Sequence, residues 1–148
     1  MSAATTTTTI PDPPRSQAME WLPVALWGIV IFILSTANFS AYYTSRMIEP
    51  ILRFLFPFAS AATIALMHTL IRKAAHFTEY GVLFWLLVRG PLRGRAAVAL
   101  AICVVYALLD EGHQMFVPGR TASLYDVALD STGAIFSNFL HSAVSELG

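Results

Sequence analysis

Polar side chains that could exchange protons interrupt an otherwise apolar sequence at three places. The first is the segment Arg72-Lys73-Ala74-Ala75-His76-Phe77-Thr78-Glu79-Tyr80, in which His76 precedes Glu79 by three residues. On a helix this spacing puts the imidazole and the carboxylate on one face. Because a histidine titrates at about pH 6.5, such a pair could act as general acid and base. The alternative, which the pair taken alone favours, is a structural hydrogen bond that orients the helix.

The second segment, Leu109-Asp110-Glu111-Gly112-His113-Gln114, closes an apolar run. Asp110 and Gln114 stand four positions apart, so their side chains meet on one face of a helix. The side chain of Glu111 points about 100° away from that of Asp110. We expect the helix to end near Gly112.

Arg120 follows a Pro-Gly pair, which predicts a turn that carries the arginine back over the end of the helices. An arginine there could bind a phosphate or a carboxylate through two parallel hydrogen bonds. It could instead form an ion pair with Asp126 or Glu111 and fix the loop. The sequence leaves both alternatives open, because an anionic ligand could displace the carboxylate in turn.

The third segment holds Asp126 and Asp130, which lie four positions apart and therefore on one helical face. Two carboxylates at this spacing repel each other when both are charged. We expect one of them to be protonated or to be matched by a basic side chain of the first segment or by Arg120. The small residues Gly133 and Ser137 continue the same face and predict a close contact with another helix.

These segments supply the candidate site residues. We assign candidate catalytic roles in proton transfer to His76, Glu79, Asp110 and Glu111, and candidate substrate-binding roles to Lys73, Gln114, Arg120 and Asp126. No metal site and no cofactor is assigned: His76 and Glu79 with Asp110 or Glu111 form a conceivable ligand set, but no HExxH or comparable spacing occurs. No Gly-rich phosphate loop, Ser/His/Asp order or reactive-cysteine context occurs, so covalent catalysis is not expected, and whether the protein is an enzyme stays open. The other histidines, His68, His113 and His141, are interpreted as incidental.

The elements that must hold these residues are apolar helices. Of the 148 residues, 56% are hydrophobic and 12% are charged, and the formal net charge is +0. This composition is typical of a membrane protein, and without a basic surface a nucleic-acid partner is not expected. Apolar runs of helical length occupy residues 21–37, 74–88, 96–109 and 124–140. Because every backbone group inside lipid must be satisfied, they predict an all-α membrane protein with a compact bundle of four transmembrane helices.

The segments that flank the first apolar run differ from it in character. Residues 1–18 contain a threonine run and Ile-Pro-Asp-Pro-Pro, which predicts a disordered N-terminal tail before a single membrane domain at 19–148. The first run could alternatively be a signal peptide, since Ser35-Thr36-Ala37 is an acceptable cleavage site. Between the first two runs, apolar residues recur at positions 48, 51, 52 and 55. This spacing predicts an amphipathic helix in the membrane interface that ends at Pro57.

The distribution of charge predicts the orientation. The loop Arg89-Gly90-Pro91-Leu92-Arg93-Gly94-Arg95 is rich in arginine and is therefore expected on the cytoplasmic side. Both termini are then cytoplasmic, and the three polar segments lie near the outer face of the membrane. Against this, Arg46, Arg53, Arg72 and Lys73 would lie outside, but at a lower density.

In its polar segments the sequence resembles the VanZ-like family of small bacterial membrane proteins. The likeness rests on residues 72–80, 109–120 and 123–134 and extends over about residues 21–140. It implies a multi-pass protein of the bacterial inner membrane that acts in tolerance of teicoplanin-type glycopeptide antibiotics or in modification of the cell envelope. Asp130 departs from the family pattern, in which Asn is expected, so it is not among the residues carried over.

The resemblance leaves several functions open. In the preferred hypothesis, an outward-facing cluster of His, Asp, Glu and Arg binds an anionic envelope precursor or a lipid headgroup, so the partners are membrane lipids or a lipid-linked precursor of peptidoglycan. The alternatives are a non-enzymatic lipid-binding or transport module and a purely structural network of charges. Small residues on the helix faces permit a homodimer without requiring one.

Overall fold

The computed structural model describes residues 17–118 and 122–147, and all of its regular structure in these ranges is helical. The elements are α1 (Gln17–Leu34), a short 3-10 turn (Ala37–Phe39), α2 (Ala41–Leu55), α3 (Ala61–Arg89), α4 (Ala96–Gln114) and α5 (Leu124–Leu147). The predicted all-α class is therefore confirmed. The predicted tail at 1–18 lies outside the described residues except for Gln17 and Ala18, which belong to α1.

Helix α3 is the centre of the fold. It contacts α1, α2, α4 and α5, and its contact with α5 is the most extensive in the described chain. Its residues Tyr80, Phe84 and Leu87 are fully buried and pack with Cys103 of α4 and Ala134 of α5 in one apolar core. The core thus lies along α3, between α4 and α5, and α1 covers part of it.

The contact between α3 and α5 is close enough to bring two backbones together. A Cβ atom built at Gly133 would lie 2.1 Å from the carbonyl oxygen of Phe77. On α3, a Cβ atom at Gly81 would lie 3.4 Å from the carbonyl oxygen of Gly133. The small residues at the crossing confirm the close helix contact that the sequence predicts, since only glycine leaves room for this approach.

Two hydrogen bonds join α1 to the core helices. Trp27 donates from Nε1 to the carbonyl oxygen of Glu79 at 2.9 Å. Tyr106 of α4 donates from its hydroxyl to the carbonyl oxygen of Gly28 at 2.6 Å. Both acceptors are backbone carbonyls on helices, so these bonds fix where α1 lies on α3 and α4.

Helix α2 confirms the predicted amphipathic helix and ends at Leu55, just before Pro57. Leu52 is buried, whereas Ile51 and Phe54 are exposed. Residues 60–70, which are compatible with a helix, extend the second apolar run into helix α3, which begins at Ala61 with Ser60 Oγ accepting from Thr63 N. The first turns of α3 extend beyond the apolar run and pack against α2.

Only α1 and α4, among the described helices, are long and apolar enough to be candidate membrane spans. Their mean hydropathy values are 1.7 and 1.6. The apolar stretches of α3 and α5 are interrupted by acidic and basic residues, which lowers their hydropathy. Length and hydropathy therefore support two spans, and they do not confirm the predicted bundle of four spans.

Candidate functional site

The structure brings eight polar residues of three helices together, and we call them the polar cluster. Its members are Lys73, His76 and Glu79 on α3, Asp110, Glu111 and Gln114 on α4, and Asp126 and Asp130 on α5. The α4 members lie in the last turns of that helix, and Asp126 lies in the first turn of α5. Since α4 begins directly after the arginine-rich loop, the polar cluster lies at the opposite end of the bundle.

On α3, His76 stands between two carboxylates. Its Nδ1 atom is 3.9 Å from Glu79 Oε2 and 3.6 Å from Asp130 Oδ1. The side chain of His76 is 20% exposed, and that of Glu79 is 12% exposed. The predicted neighbourhood of His76 and Glu79 is confirmed, and α5 contributes an additional carboxylate to the same imidazole.

At the end of α4, Gln114 and Glu111 each make a hydrogen bond within the described residues. Gln114 donates from Nε2 to Asp110 Oδ2 at 2.8 Å, which confirms the predicted contact. Glu111 points elsewhere, as expected, and its Oε2 accepts from the backbone N–H of Ser123 at 2.8 Å. Ser123 in turn accepts at Oγ from Tyr125 N at the start of α5. Glu111 therefore ties the end of α4 to the N-terminus of α5, where a carboxylate is electrostatically favoured.

Lys73 and Asp126 form the exposed edge of the polar cluster. Lys73 Nζ lies 2.8 Å from Asp126 Oδ1, and about one third of each side chain is exposed, 35% and 34%. The ammonium also lies 4.5 Å from the ring centre of Tyr125, within reach of a cation–π interaction. Of the partners that the sequence offered for Asp126, the structure shows Lys73. Burial lowers the pKa of nearby Arg72, and the charge of Asp126 opposes that shift.

Asp130 has a different environment from Asp126, although the two share a helical face. Asp130 is 1% exposed, and neither of its carboxylate oxygens has a hydrogen-bond partner in the described residues. The hydroxyl of buried Tyr80 likewise has no partner among them. One aspartate of the pair is thus ion-paired at the surface, while the other is enclosed beside His76.

The sequence profile of the VanZ/LLP1 family matches residues 21–144, which include every member of the polar cluster. The chain belongs to the VanZ/LLP1 family. No curated protein and no solved structure matches the chain.

Of the residues predicted for the site of this VanZ/LLP1 protein, all but one are in the polar cluster. Arg120 lies outside the described residues, so its predicted role stays a prediction. The division into catalytic and substrate-binding roles also stays a prediction, since the contacts show neighbours rather than activity. Asp130 was not among the predicted site residues, although its spacing from Asp126 was the signal that could have placed it there.

Two histidines that the sequence left as incidental have specific contacts. His68 is buried, and its Nε2 atom lies 3.1 Å from Thr44 Oγ1 on α2. Burial is the main cause that lowers the pKa of His68, with Arg72 acting in the same direction and Glu49 opposing it. The ring of His113 lies 4.8 Å from that of Phe32 on α1.

The polar cluster of the VanZ/LLP1 protein thus has two chemical capacities. Its exposed edge offers an ammonium group that an anion could contact. Its buried part offers an imidazole and carboxylates that could move protons, and ligand atoms of His76, Asp110 and Asp130 lie within 4.8 Å of one another.

Proposed function

We propose that this VanZ/LLP1 protein crosses the bacterial inner membrane four times, through α1, α3, α4 and α5. The polar side chains of α3 and α5 that would be costly in lipid, Glu79 and Asp130 among them, are buried against neighbouring helices. The exposed Glu146 of α5 lies in its last turn, whereas large hydrophobic residues are exposed along the helix: Leu124, Tyr125, Ile135, Phe136, Phe139, Leu140 and Val144. An apolar outer surface with polar groups inside is suited to a lipid environment despite the low hydropathy of α3 and α5.

In the proposed orientation the arginine-rich loop and both termini are cytoplasmic, and the polar cluster lies near the outer leaflet. Single cysteines in a Cys103→Ser background test this, because Arg95→Cys and Met115→Cys fall at opposite ends of α4 and both positions are exposed. A membrane-impermeant thiol reagent added to intact spheroplasts should label Met115→Cys, and it should label Arg95→Cys only after permeabilisation. The reverse pattern would contradict the orientation, and labelling of both from outside would contradict the spanning of α4.

The polar cluster binds an anionic group of a lipid-linked cell-wall precursor or a lipid headgroup, and this binding underlies a role in glycopeptide tolerance or envelope modification. The observation that carries this proposal is the exposed Lys73–Asp126 pair, which lies 2.8 Å apart at the edge of the cluster. The ammonium group of Lys73 can release the carboxylate of Asp126 and bind an anion instead, while the other members of the polar cluster stay buried. Arg72, on the neighbouring position of α3, adds positive charge next to Asp126.

Binding to vesicles of neutral lipid containing a lipid-linked precursor tests the proposed site. We expect the double variant Lys73→Gln/Asp126→Asn to weaken binding by about 10-fold or more, because a hydrogen bond to a charged group contributes about 1.5–3 kcal/mol. The double substitution removes the cation without leaving Asp126 unpaired. Arg93→Gln is the matched control, since Arg93 lies at the other end of the bundle beside Glu20. Equal affinities of the double variant and wild type would contradict the site.

A non-enzymatic binding module is the second candidate, and the burial of Asp110, Glu111 and Gln114 favours it. These side chains are 3–6% exposed, and their described hydrogen bonds join them to each other or to the start of α5. Incubation of purified protein with the precursor, followed by mass spectrometry, separates the candidates. Binding without product favours the module, whereas a product that Glu111→Gln abolishes favours the enzyme.

Expression in a glycopeptide-susceptible bacterium tests the cellular role. We expect wild type to raise the inhibitory concentration of a teicoplanin-type antibiotic and the Lys73→Gln/Asp126→Asn variant to lose this effect at equal membrane abundance. No change with wild type, at confirmed expression, would contradict the role in tolerance while leaving anion binding to be judged by the vesicle assay.

A further inference from the structure

Three residues from three helices converge in the buried part of the polar cluster. His76 of α3, Asp110 of α4 and Asp130 of α5 each offer a ligand atom, and these atoms all lie within 4.8 Å of one another. Asp110 is 5% exposed and Asp130 is 1% exposed. Bonds of about 2.1 Å to a shared metal ion hold ligand atoms roughly 3 to 4 Å apart, so only a small contraction is needed.

Asp130 supplies an independent reason to expect a ligand here. Both of its carboxylate oxygens are enclosed and lack a hydrogen-bond partner in the described chain. Among the described residues, His76 Nδ1 lies 3.6 Å from Asp130 Oδ1, which is longer than a hydrogen bond. Since buried polar groups in folded proteins nearly always have partners, an enclosed carboxylate of this kind indicates a bound cation or a bound proton.

The second carboxylate favours the cation. Asp110 is positioned by Gln114, which donates to its Oδ2 atom, and a carboxylate oxygen of Asp110 lies within 4.8 Å of the ligand atoms of His76 and Asp130. Carboxylates of Asp110 and Asp130 in one buried site repel each other unless one of them is protonated or a positive charge lies between them. A divalent ion neutralises both, and the hydrogen bond from Gln114 is the kind of outer contact that orients a metal ligand.

We propose that His76, Asp110 and Asp130 bind one divalent transition-metal ion, of the Mn²⁺ or Zn²⁺ type. One imidazole and two carboxylates form a donor set that these ions accept, with remaining positions for water or a ligand oxygen. The site is distinct from the Lys73–Asp126 pair, so it does not rest on the proposed anion binding. It also differs from the set that the sequence offered, because Asp130 takes the place of Glu79.

Metal content of the full chain, purified in detergent, tests the proposal without any lipid ligand. After chelator treatment and dialysis against Mn²⁺ or Zn²⁺ alone, we expect about one ion per chain by elemental mass spectrometry. Asp130→Asn, which keeps the size of the side chain, should weaken the affinity at least 10-fold. Asp126→Asn, one turn earlier on α5, is the matched control and should change the metal affinity less than 3-fold.

Two further measurements keep the result decisive. Size-exclusion chromatography and circular dichroism establish whether each variant is folded, and His76→Gln replaces the third ligand in case Asp130→Asn does not fold. Co²⁺ bound at the site should give a visible absorption band that His76→Gln alters. Folded wild type that retains no ion, or retention that neither His76→Gln nor Asp130→Asn reduces, overturns the proposal in favour of a bound proton or of binding elsewhere.

Discussion

The close approach of α3 and α5 at Gly133 gives the sharpest test of the geometry of the fold, through the substitution Gly133→Ala. The added Cβ atom would lie 2.1 Å from the carbonyl oxygen of Phe77 and 2.9 Å from its carbonyl carbon. Both obstacles are backbone atoms in the middle of α3, so no side-chain rotation can relieve the overlap. The two helices must separate or shift along each other.

The size of the effect follows from the distance that must be recovered. A carbon atom and a carbonyl oxygen approach to about 3.3 Å, so the contact must open by about 1.2 Å. Inserting an extra methyl group into a packed interior typically costs about 1–3 kcal/mol. Because the obstacle is backbone, we expect about 3 kcal/mol. For a chain of this length that corresponds to a fall of about 6–12 °C in the unfolding temperature.

Cys103 provides the assay, since it is the single cysteine of the chain and is fully buried in the core. A fluorogenic thiol reagent in detergent reports its exposure as the protein is heated. Two glycines give matched controls for Gly133→Ala. A Cβ atom at Gly112 would meet nothing within 4 Å, so Gly112→Ala should stabilise by about 0.5 kcal/mol through helix propensity. Gly81→Ala, with its nearest contact at 3.4 Å, should lie between them.

The test is the order of the three unfolding temperatures, which should be lowest for Gly133→Ala, intermediate for Gly81→Ala and highest for Gly112→Ala. If Gly133→Ala unfolds within 2 °C (on the order of 1 kcal/mol or less) of wild type while Gly112→Ala behaves as expected, the helices α3 and α5 do not approach as closely as described. The position of Asp130 beside His76 would then also be wrong, because the same crossing of α3 and α5 brings Asp130 to His76.

Substitutions at four further residues test contacts elsewhere in the bundle. Trp27→Phe and Tyr106→Phe each remove a hydrogen bond that holds α1 and should each lower the unfolding free energy by about 1 kcal/mol in the thiol assay; no loss in either would contradict the docking of α1. Burial lowers the pKa of His68 below 6.5, so at acidic pH the unfolded chain binds a proton at His68 more tightly than the folded chain does. The contribution of neutral His68 to stability is therefore present above about pH 6.5 and is lost as the pH falls below that value. His68→Asn should therefore reduce the fall in unfolding temperature between about pH 7 and 5, and an unchanged slope would refute this. Glu111→Gln keeps an oxygen for Ser123 N and should change stability by less than about 1 kcal/mol, whereas Glu111→Leu should lose about 1–3 kcal/mol.

Local spacing was sufficient to predict contacts within one helix. His76 and Glu79, and likewise Asp110 and Gln114, are neighbours because positions three or four apart lie on one helical face whatever surrounds them. The end of α2 before Pro57 follows from equally local chemistry, since proline disfavours a helical conformation in the residue before it.

Contacts between helices could not be read from spacing. Asp126 and Asp130 have the same periodicity, yet the rotation of α5 against α3 leaves one at the surface and encloses the other. His68 was interpreted as incidental because no residue near it in the sequence offered a partner, and its contact Thr44 lies on α2, which packs against the part of α3 before the apolar run. Hydropathy reports the solvent that a segment prefers, and it does not report where a helix ends.

The division between an exposed pair and a buried group determines how any loss of function should be interpreted. Glu111 and Asp110 are part of the packing between helices, so replacing them changes the assembly of α4 and α5 as well as any chemistry. Lys73 and Asp126 are one-third exposed and can be replaced together with little effect on the core, since exposed ion pairs contribute only about 0–1 kcal/mol. A phenotype lost through the Lys73 and Asp126 double variant therefore indicates recognition of a ligand, whereas one lost through Asp110 or Glu111 indicates chemistry only when the unfolding temperature is unchanged.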